Sequence, residues 1–196
     1  DSLIRLGGAT RYATSLAISQ FGWEEGAASA FIATGTNFAD ALTAGPAAGK
    51  ADVPVLLVTK KITNDTAAVR TELRRLGVQR VYVTGGTGVV SAAVLKSVAE
   101  GIASTRYGGV DRYETAELVL KAHFSAPAGA VYWASGHNFP DAVSAAGAAG
   151  ALGVPLAISR QGCVPLGVNT TVKNLQPQSQ VVLGGTKALS QNVANN

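Results

Sequence analysis

The sequence predicts an α/β fold made of two tandem homologous units, each a small, mostly parallel sheet flanked by helices. Three observations predict it. An ordered set of blocks occurs twice in the chain. Inside each copy, short apolar runs rich in β-branched residues alternate with helical stretches. The composition, 47% hydrophobic against 14% charged, supplies a core and excludes disorder, which needs the opposite balance.

The repeat sets the domain organisation. Arg5-Leu6-Gly7-Gly8-Ala9-Thr10-Arg11-Tyr12 returns as Arg106-Tyr107-Gly108-Gly109-Val110-Asp111-Arg112-Tyr113, 101 residues on. At the same offset, Thr34-Gly35-Thr36-Asn37-Phe38-Ala39-Asp40-Ala41 returns as Ser135-Gly136-His137-Asn138-Phe139-Pro140-Asp141-Ala142. A third block, Val83-Thr84-Gly85-Gly86-Thr87, returns two residues early as Val182-Leu183-Gly184-Gly185-Thr186. Copy one is expected to span 1–101 and copy two 102–196.

In copy one, residues 29–33, 55–59 and 81–84 have the short, β-branched apolar character of strands buried on both faces of a parallel sheet. Residues 10–21, 39–51, 65–76 and 91–100 fall between them as helices. Strand–helix alternation predicts parallel, right-handed crossovers. Asp111 and Glu114 have capping-box spacing at the first helix of copy two. The helices after Asp40 and Asp141 are rich in Ala and Gly, which permits close approach to a neighbouring element; Pro46 inside the first is expected to kink it.

Several function classes are excluded or weakened. No run approaches ~18 apolar residues, so membrane insertion is not expected. The net charge is +4, shared between the copies. Its one local excess, Lys60, Lys61, Arg70, Arg74, Arg75 and Arg80, lacks the interleaved aromatics and recognition motifs of a nucleic-acid binder and reads as a solvated helix face. One cysteine, Cys163, and two histidines, His123 and His137, provide neither a disulfide nor metal-ligand spacing. No metal or cofactor is expected. The chain holds no methionine, so Asp1 is expected to follow a cut that removed a signal peptide or an upstream domain, or to mark an arbitrary boundary.

Candidate functional residues are those the repeat carries twice. Two glycines ahead of a capped helix can turn backbone N–H groups toward an anion, and Arg11 and Arg112 add planar forks suited to phosphate or carboxylate. Arg5 and Arg106 at the head of each block join them as candidate ligand-binding residues; the arginines can instead tie down a loop or pair with a carboxylate of their own chain. Asn37, Asp40, Asn138 and Asp141 follow a strand and precede a helix, where ligands of α/β sheets gather. They can bond sugar hydroxyls or cap the helix. Tyr12 and Tyr113 can offer an aromatic platform. The third-block glycines serve either as an anion nest or as a tight turn with positive φ. No catalytic residue is expected: the histidine of Ser135-Gly136-His137 has Thr36 as its counterpart, so a nucleophile–base pair is not a shared role.

The repeated Arg-x-Gly-Gly-x-x-Arg-Tyr block, the Gly-x-Asn-Phe-x-Asp-Ala loop, the run from Pro54 to Thr59 and a strand ending in Gly-Gly together resemble the bacterial cell wall-binding repeat of type 2, across nearly the whole chain. The resemblance implies a secreted, non-catalytic module at the cell surface, anchored non-covalently to a Gram-positive wall through an anionic glycopolymer. It also implies further repeats or self-association, because the family usually packs three repeats around a pseudo-threefold axis. Copy two departs from the pattern where Pro155-Leu156-Ala157-Ile158-Ser159-Arg160 replaces the Pro54–Thr59 run, so its binding is expected to differ. Two other classes stay open: a small α/β enzyme acting on a phosphorylated sugar or nucleotide, and a structural unit of a surface layer.

Overall fold

The computed structural model describes residues 3–195. Copy one runs α1 (Arg11–Gly22), β1 (Ser29–Thr34), α2 (Phe38–Lys50), β2 (Val55–Val58), α3 (Asn64–Arg75), β3 (Arg80–Thr84) and α4 (Ala92–Val98). After β4 (Ala103–Tyr107), the order repeats as α5 (Arg112–His123), β5 (Val131–Ser135), α6 (Pro140–Leu152), β6 (Leu156–Ser159), α7 (Leu166–Asn174), β7 (Gln180–Val182) and the single turn α8 (Gln191–Ala194). The strands form two parallel sheets, ordered β2-β1-β3-β4 and β6-β5-β7. The α/β fold with two tandem units is as the sequence predicts.

The central strands are apolar because both faces are covered. Ala30, Phe31, Ile32 and Ala33 of β1 are all fully buried. One core lies between sheet one and α3 and α4, with Val69, Leu73, Val83 and Val94 at its centre. A second core crosses the copies: Phe31, Ala44 and Ala47 of copy one pack with Val119, Leu120, Trp133 and Ile158 of copy two. The units therefore share buried surface instead of hanging as beads.

Two features of that junction escape sequence patterning. The polar segment Ala103–Tyr107 is a strand, and although it follows copy one's last helix and carries copy two's first motif, it pairs with β3 as the fourth strand of sheet one, Thr84 opposite Tyr107. Sheet two ends at β7, where Val181 is 39% exposed. Within the copy-one counterpart of β4, the described residues 3–6 are not in a strand, and Leu3 and Ile4 are exposed.

The second feature is helix contact across the copies. α2 lies along α6 and α5. Val119 of α5 is fully buried there, whereas its α1 counterpart Ile18 is 46% exposed. The small residues of α2 and α6 allow the approach: a Cβ on Gly49 would lie 2.7 Å from the Gly150 Cα. α2 continues as helix through the buried Pro46.

Candidate functional site

The carboxyl ends of β1 and β3 face the loop that opens copy two. Gly85 takes φ +105° and its N–H donates to the Tyr107 carbonyl at 2.7 Å. Arg106 Nη1 donates to the Gly85 carbonyl at 2.7 Å, and burial lowers the guanidinium's pKa. Gly108 presses on Gly86 so closely that a Cβ would stand 2.9 Å from its Cα. One copy's strand-end glycines thus abut the next copy's helix-opening glycines. At Gly85, and at Gly184 with φ +93°, the third block is a tight left-handed turn.

Several amides of the first block, proposed as an anion nest, are occupied. Gly109 N–H donates to Thr115 Oγ1 at 3.1 Å and Val110 N–H to Glu114 Oε2 at 2.6 Å. The N–H groups of Tyr113 and Glu114 both donate to Asp111 Oδ1 at 2.9 Å. In copy one, Gly8 N–H donates to Thr14 Oγ1 and Ala13 N–H to Thr10 Oγ1, each at 3.1 Å. These side chains satisfy orphan donors of the helix ends, so these amides serve the caps and not an anion nest. The repeated Thr14 and Thr115 were the signal in the sequence for this capping.

Arg11 and Arg112 each tie down a strand-end loop. Arg11 Nη1 donates to the Gly35 carbonyl at 2.7 Å, and Arg112 Nη1 to that of Gly136 at 2.5 Å. The Tyr113 ring lies against Gly136, where a Cβ would meet it at 2.6 Å, and beneath the Arg160 guanidinium at 5.3 Å. At 7% exposure the ring is closed to a sugar, which corrects the platform reading there. Tyr12 packs on Gly35 in the same way but stays half-buried. Arg160 also approaches Asp111 Oδ2 at 3.6 Å. Sequence comparison misses Arg160, because its counterpart is Thr59.

Between these parts lies a cleft of about 390 Å³, walled by Asn37, Asp40 and Gly86 of copy one and Gly109, Asp111 and Arg112 of copy two. Asn37 caps α2, its Oδ1 accepting from Ala39 N–H at 3.2 Å. Asp40, in the first turn of α2, is 6% exposed with its carboxylate against Gly85. Burial raises its pKa, and the positive charge of Arg112 pulls it partly back.

The remaining candidates lie elsewhere. Arg5 is exposed near the start of the chain, and Arg106 is committed to Gly85. Asn138 is exposed and Asp141 half-buried against Gly184; no later unit among the described residues covers them. Ser135 Oγ accepts from the backbone N–H groups of His137 and Asn138 at 3.2 and 3.4 Å, so the bond to His137 runs through its backbone and not its ring. Among the described residues no cluster of three or more His, Cys, Asp or Glu is arranged to hold a metal, and no helix is long and apolar enough to cross a membrane.

A separate apolar groove of about 490 Å³ runs along α2 and α6, lined by Phe38, Leu42, Leu57, Phe139, Val143 and Ala146 among others. The Phe38 and Phe139 rings meet at a tilt of 50° with centroids 5.1 Å apart, while Phe139 and Val143 are more than half exposed.

Comparison with known proteins places this architecture. The model of cell wall binding domain 2 (CWB2) matches residues 5–95 and again 106–194. The N-acetylmuramoyl-L-alanine amidase LytC of Bacillus subtilis (strain 168) is 31% identical over 197 aligned residues, covering 100% of this chain and 38% of the amidase. Among solved structures, Cwp6 from Clostridium difficile superposes with a TM-score of 0.87 at 30% identity, over 97% of this chain and 30% of that one. Cwp8 from the same organism shares the fold, with a TM-score of 0.83 at 23% identity, over 97% of this chain and 32% of that one. The chain thus spans about a third of the length of the relatives it matches.

Proposed function

The chain belongs to the cell wall binding domain 2 family, and from that premise we propose that it is a non-catalytic anchor holding a secreted protein on a Gram-positive wall through an anionic glycopolymer. One observation carries the reading: Asn37, Asp40 and Arg112 of the polar cleft are residues the repeat carries twice, whereas His137 and Cys163 lie outside it and are not repeated, Thr36 and Ile62 standing at their positions in copy one. Several weak sites along a polymer gain strength by avidity, which gives repetition of the unit a purpose.

The partner in assembly is a further repeat or a second copy of this chain. The exposed Leu3 and Ile4 and the open sheet edge at Val181 correspond to the two sides of the strand contact that β4 makes with β3 between copy one and copy two. A unit added at either end would cover them.

The test is co-sedimentation of the purified chain with intact Gram-positive sacculi and with sacculi stripped of anionic polymer. Pelleting with intact walls, lost on stripping and weakened by salt, supports the reading. Equal pelleting with both sinks the anionic-polymer assignment.

A further inference from the structure

Asp40 lines the junction cleft with its carboxylate against Gly85. It is 6% exposed, and the charge that acts on it belongs to Arg112 of the other copy. A buried carboxylate ordinarily finds donors within the fold, because desolvation of an unpaired charge is costly. Its counterpart Asp141 is half-exposed, so burial of this carboxylate is a product of the junction and not of the repeat.

The junction also supplies what a lone carboxylate lacks. Asn37 and Asp40 come from copy one; Asp111 and Arg112 come from copy two. Asn37 uses its Oδ1 on the α2 cap, which leaves its amide N–H groups for a ligand. Arg112 uses Nη1 on Gly136, and a guanidinium has five N–H donors in all. Asp111 Oδ1 is taken by the α5 cap. The volume, about 390 Å³, is that of a small-ligand site.

The charges decide the ligand class. Asp111 is paired with Arg160 at 3.6 Å, which among the described residues leaves Asp40 as the carboxylate without an ion-pair partner on the wall beside Arg112, set to repel a bare anion. A ligand that brings hydroxyl donors to Asp40 and an acidic group to Arg112 satisfies both walls. Resting on the wall-polymer reading above, we infer that the junction cleft is the complete binding site for one glycosyl unit bearing an acidic substituent, with Asp40 accepting its hydroxyls. Sites are then counted by junctions between repeats and not by repeats. Among the described residues, the loop of Arg11 and the residues Asn138 and Asp141 face no second unit, and one cleft joins the two copies in this way.

The test uses the full chain with Asp40→Asn and, separately, Asp141→Asn. Binding is titrated with soluble glycopolymer released from Gram-positive sacculi by mild acid, and folding is followed by thermal melting. Asp40→Asn places an amide N–H where donors must be received and is expected to weaken binding at least tenfold with no fall in Tm. Asp141→Asn, outside the cleft, is expected to stay within twofold of the unmodified chain. Inorganic phosphate at matched concentration is expected not to displace the polymer. Equal losses from the two variants, unchanged binding by Asp40→Asn, or displacement by phosphate alone would each overturn the inference while leaving wall binding intact. No binding by the unmodified chain would overturn the wall-polymer reading and this inference with it.

Discussion

Gly49 of α2 and Gly150 of α6 meet backbone to backbone: a Cβ on Gly49 would lie 2.7 Å from the Gly150 Cα, and one on Gly150 would lie 3.3 Å from the Gly49 Cα. This crossing draws the two units together and sets how the Arg112 loop faces Asp40. Gly49→Ala should gain helix propensity, about 1 kcal/mol at an exposed helical site. The overlap with Gly150 outweighs it, and we expect a net loss of about 1–3 kcal/mol, as for overpacking. Urea unfolding measures it; a stabilised variant would mean that the helices part freely.

Glu72 should be a stabilising residue of copy one alone. It is 2% exposed, accepts from Ser19 Oγ at 2.6 Å and pairs with Arg75 at 2.8 Å. Burial alone would raise its carboxyl, but hydrogen bonds from Arg75 and Ser19 outweigh it and leave the pKa below the ordinary 4.5. Its stabilisation is therefore present above about pH 4.5 and lost as pH falls through the lower folded value. Glu72→Ala is expected to cost about 1–3 kcal/mol at neutral pH, read by denaturant melts. Arg75, one-third exposed, can turn to water, which keeps the loss below that of breaking a fully buried pair.

His123 makes the junction acid-sensitive. Its ring lies among Phe31, Tyr82 and Tyr107, with Nε2 3.1 Å from the Tyr107 hydroxyl and Lys50 Nζ on its backbone carbonyl. Burial, helped by Lys50, holds the imidazole below its ordinary 6.5. Between the two values the unfolded chain binds the proton and the folded chain does not, so stability falls as pH falls. The contribution is complete above about pH 6.5 and is lost toward the folded value. His123→Phe should flatten the stability profile between pH 6.5 and 5; an unchanged slope would assign it elsewhere.

Asp40 has the opposite sign. Its folded pKa is raised above 3.8, so the folded state binds the proton more readily and stability declines as pH rises through the folded value. Asp40→Asn should therefore be at least as stable as the unmodified chain at pH 7, measured by thermal melting. A clear drop in Tm would make the carboxylate a structural group.

Much of the fold was legible in the sequence because strand burial and helix capping are local. The runs beginning at Ser29, Val55 and Val81 read as strands, and Asp111 does cap α5. Pairing between the copies was not legible. Ala103–Tyr107 is too polar to read as a strand, and its strand character comes from β3 and the Arg106 bond to Gly85. Repeat comparison aligns Arg112 with Arg11 and Asp40 with Asp141. The structure instead puts Asp40 beside Arg112, a relation between the end of one unit and the start of the next. For the same reason Tyr113 read as a platform: Arg160, which covers it, has the uncharged Thr59 as its counterpart.

Hydrogen–deuterium exchange of the full chain with and without soluble wall glycopolymer tests the central claim most directly. Protection is expected at residues 37–40, 85–89 and 108–113, with residues 138–141 and 184–187 unchanged. Equal protection in the two copies, or protection confined to the exposed face of α3, would contradict a single site built at their junction.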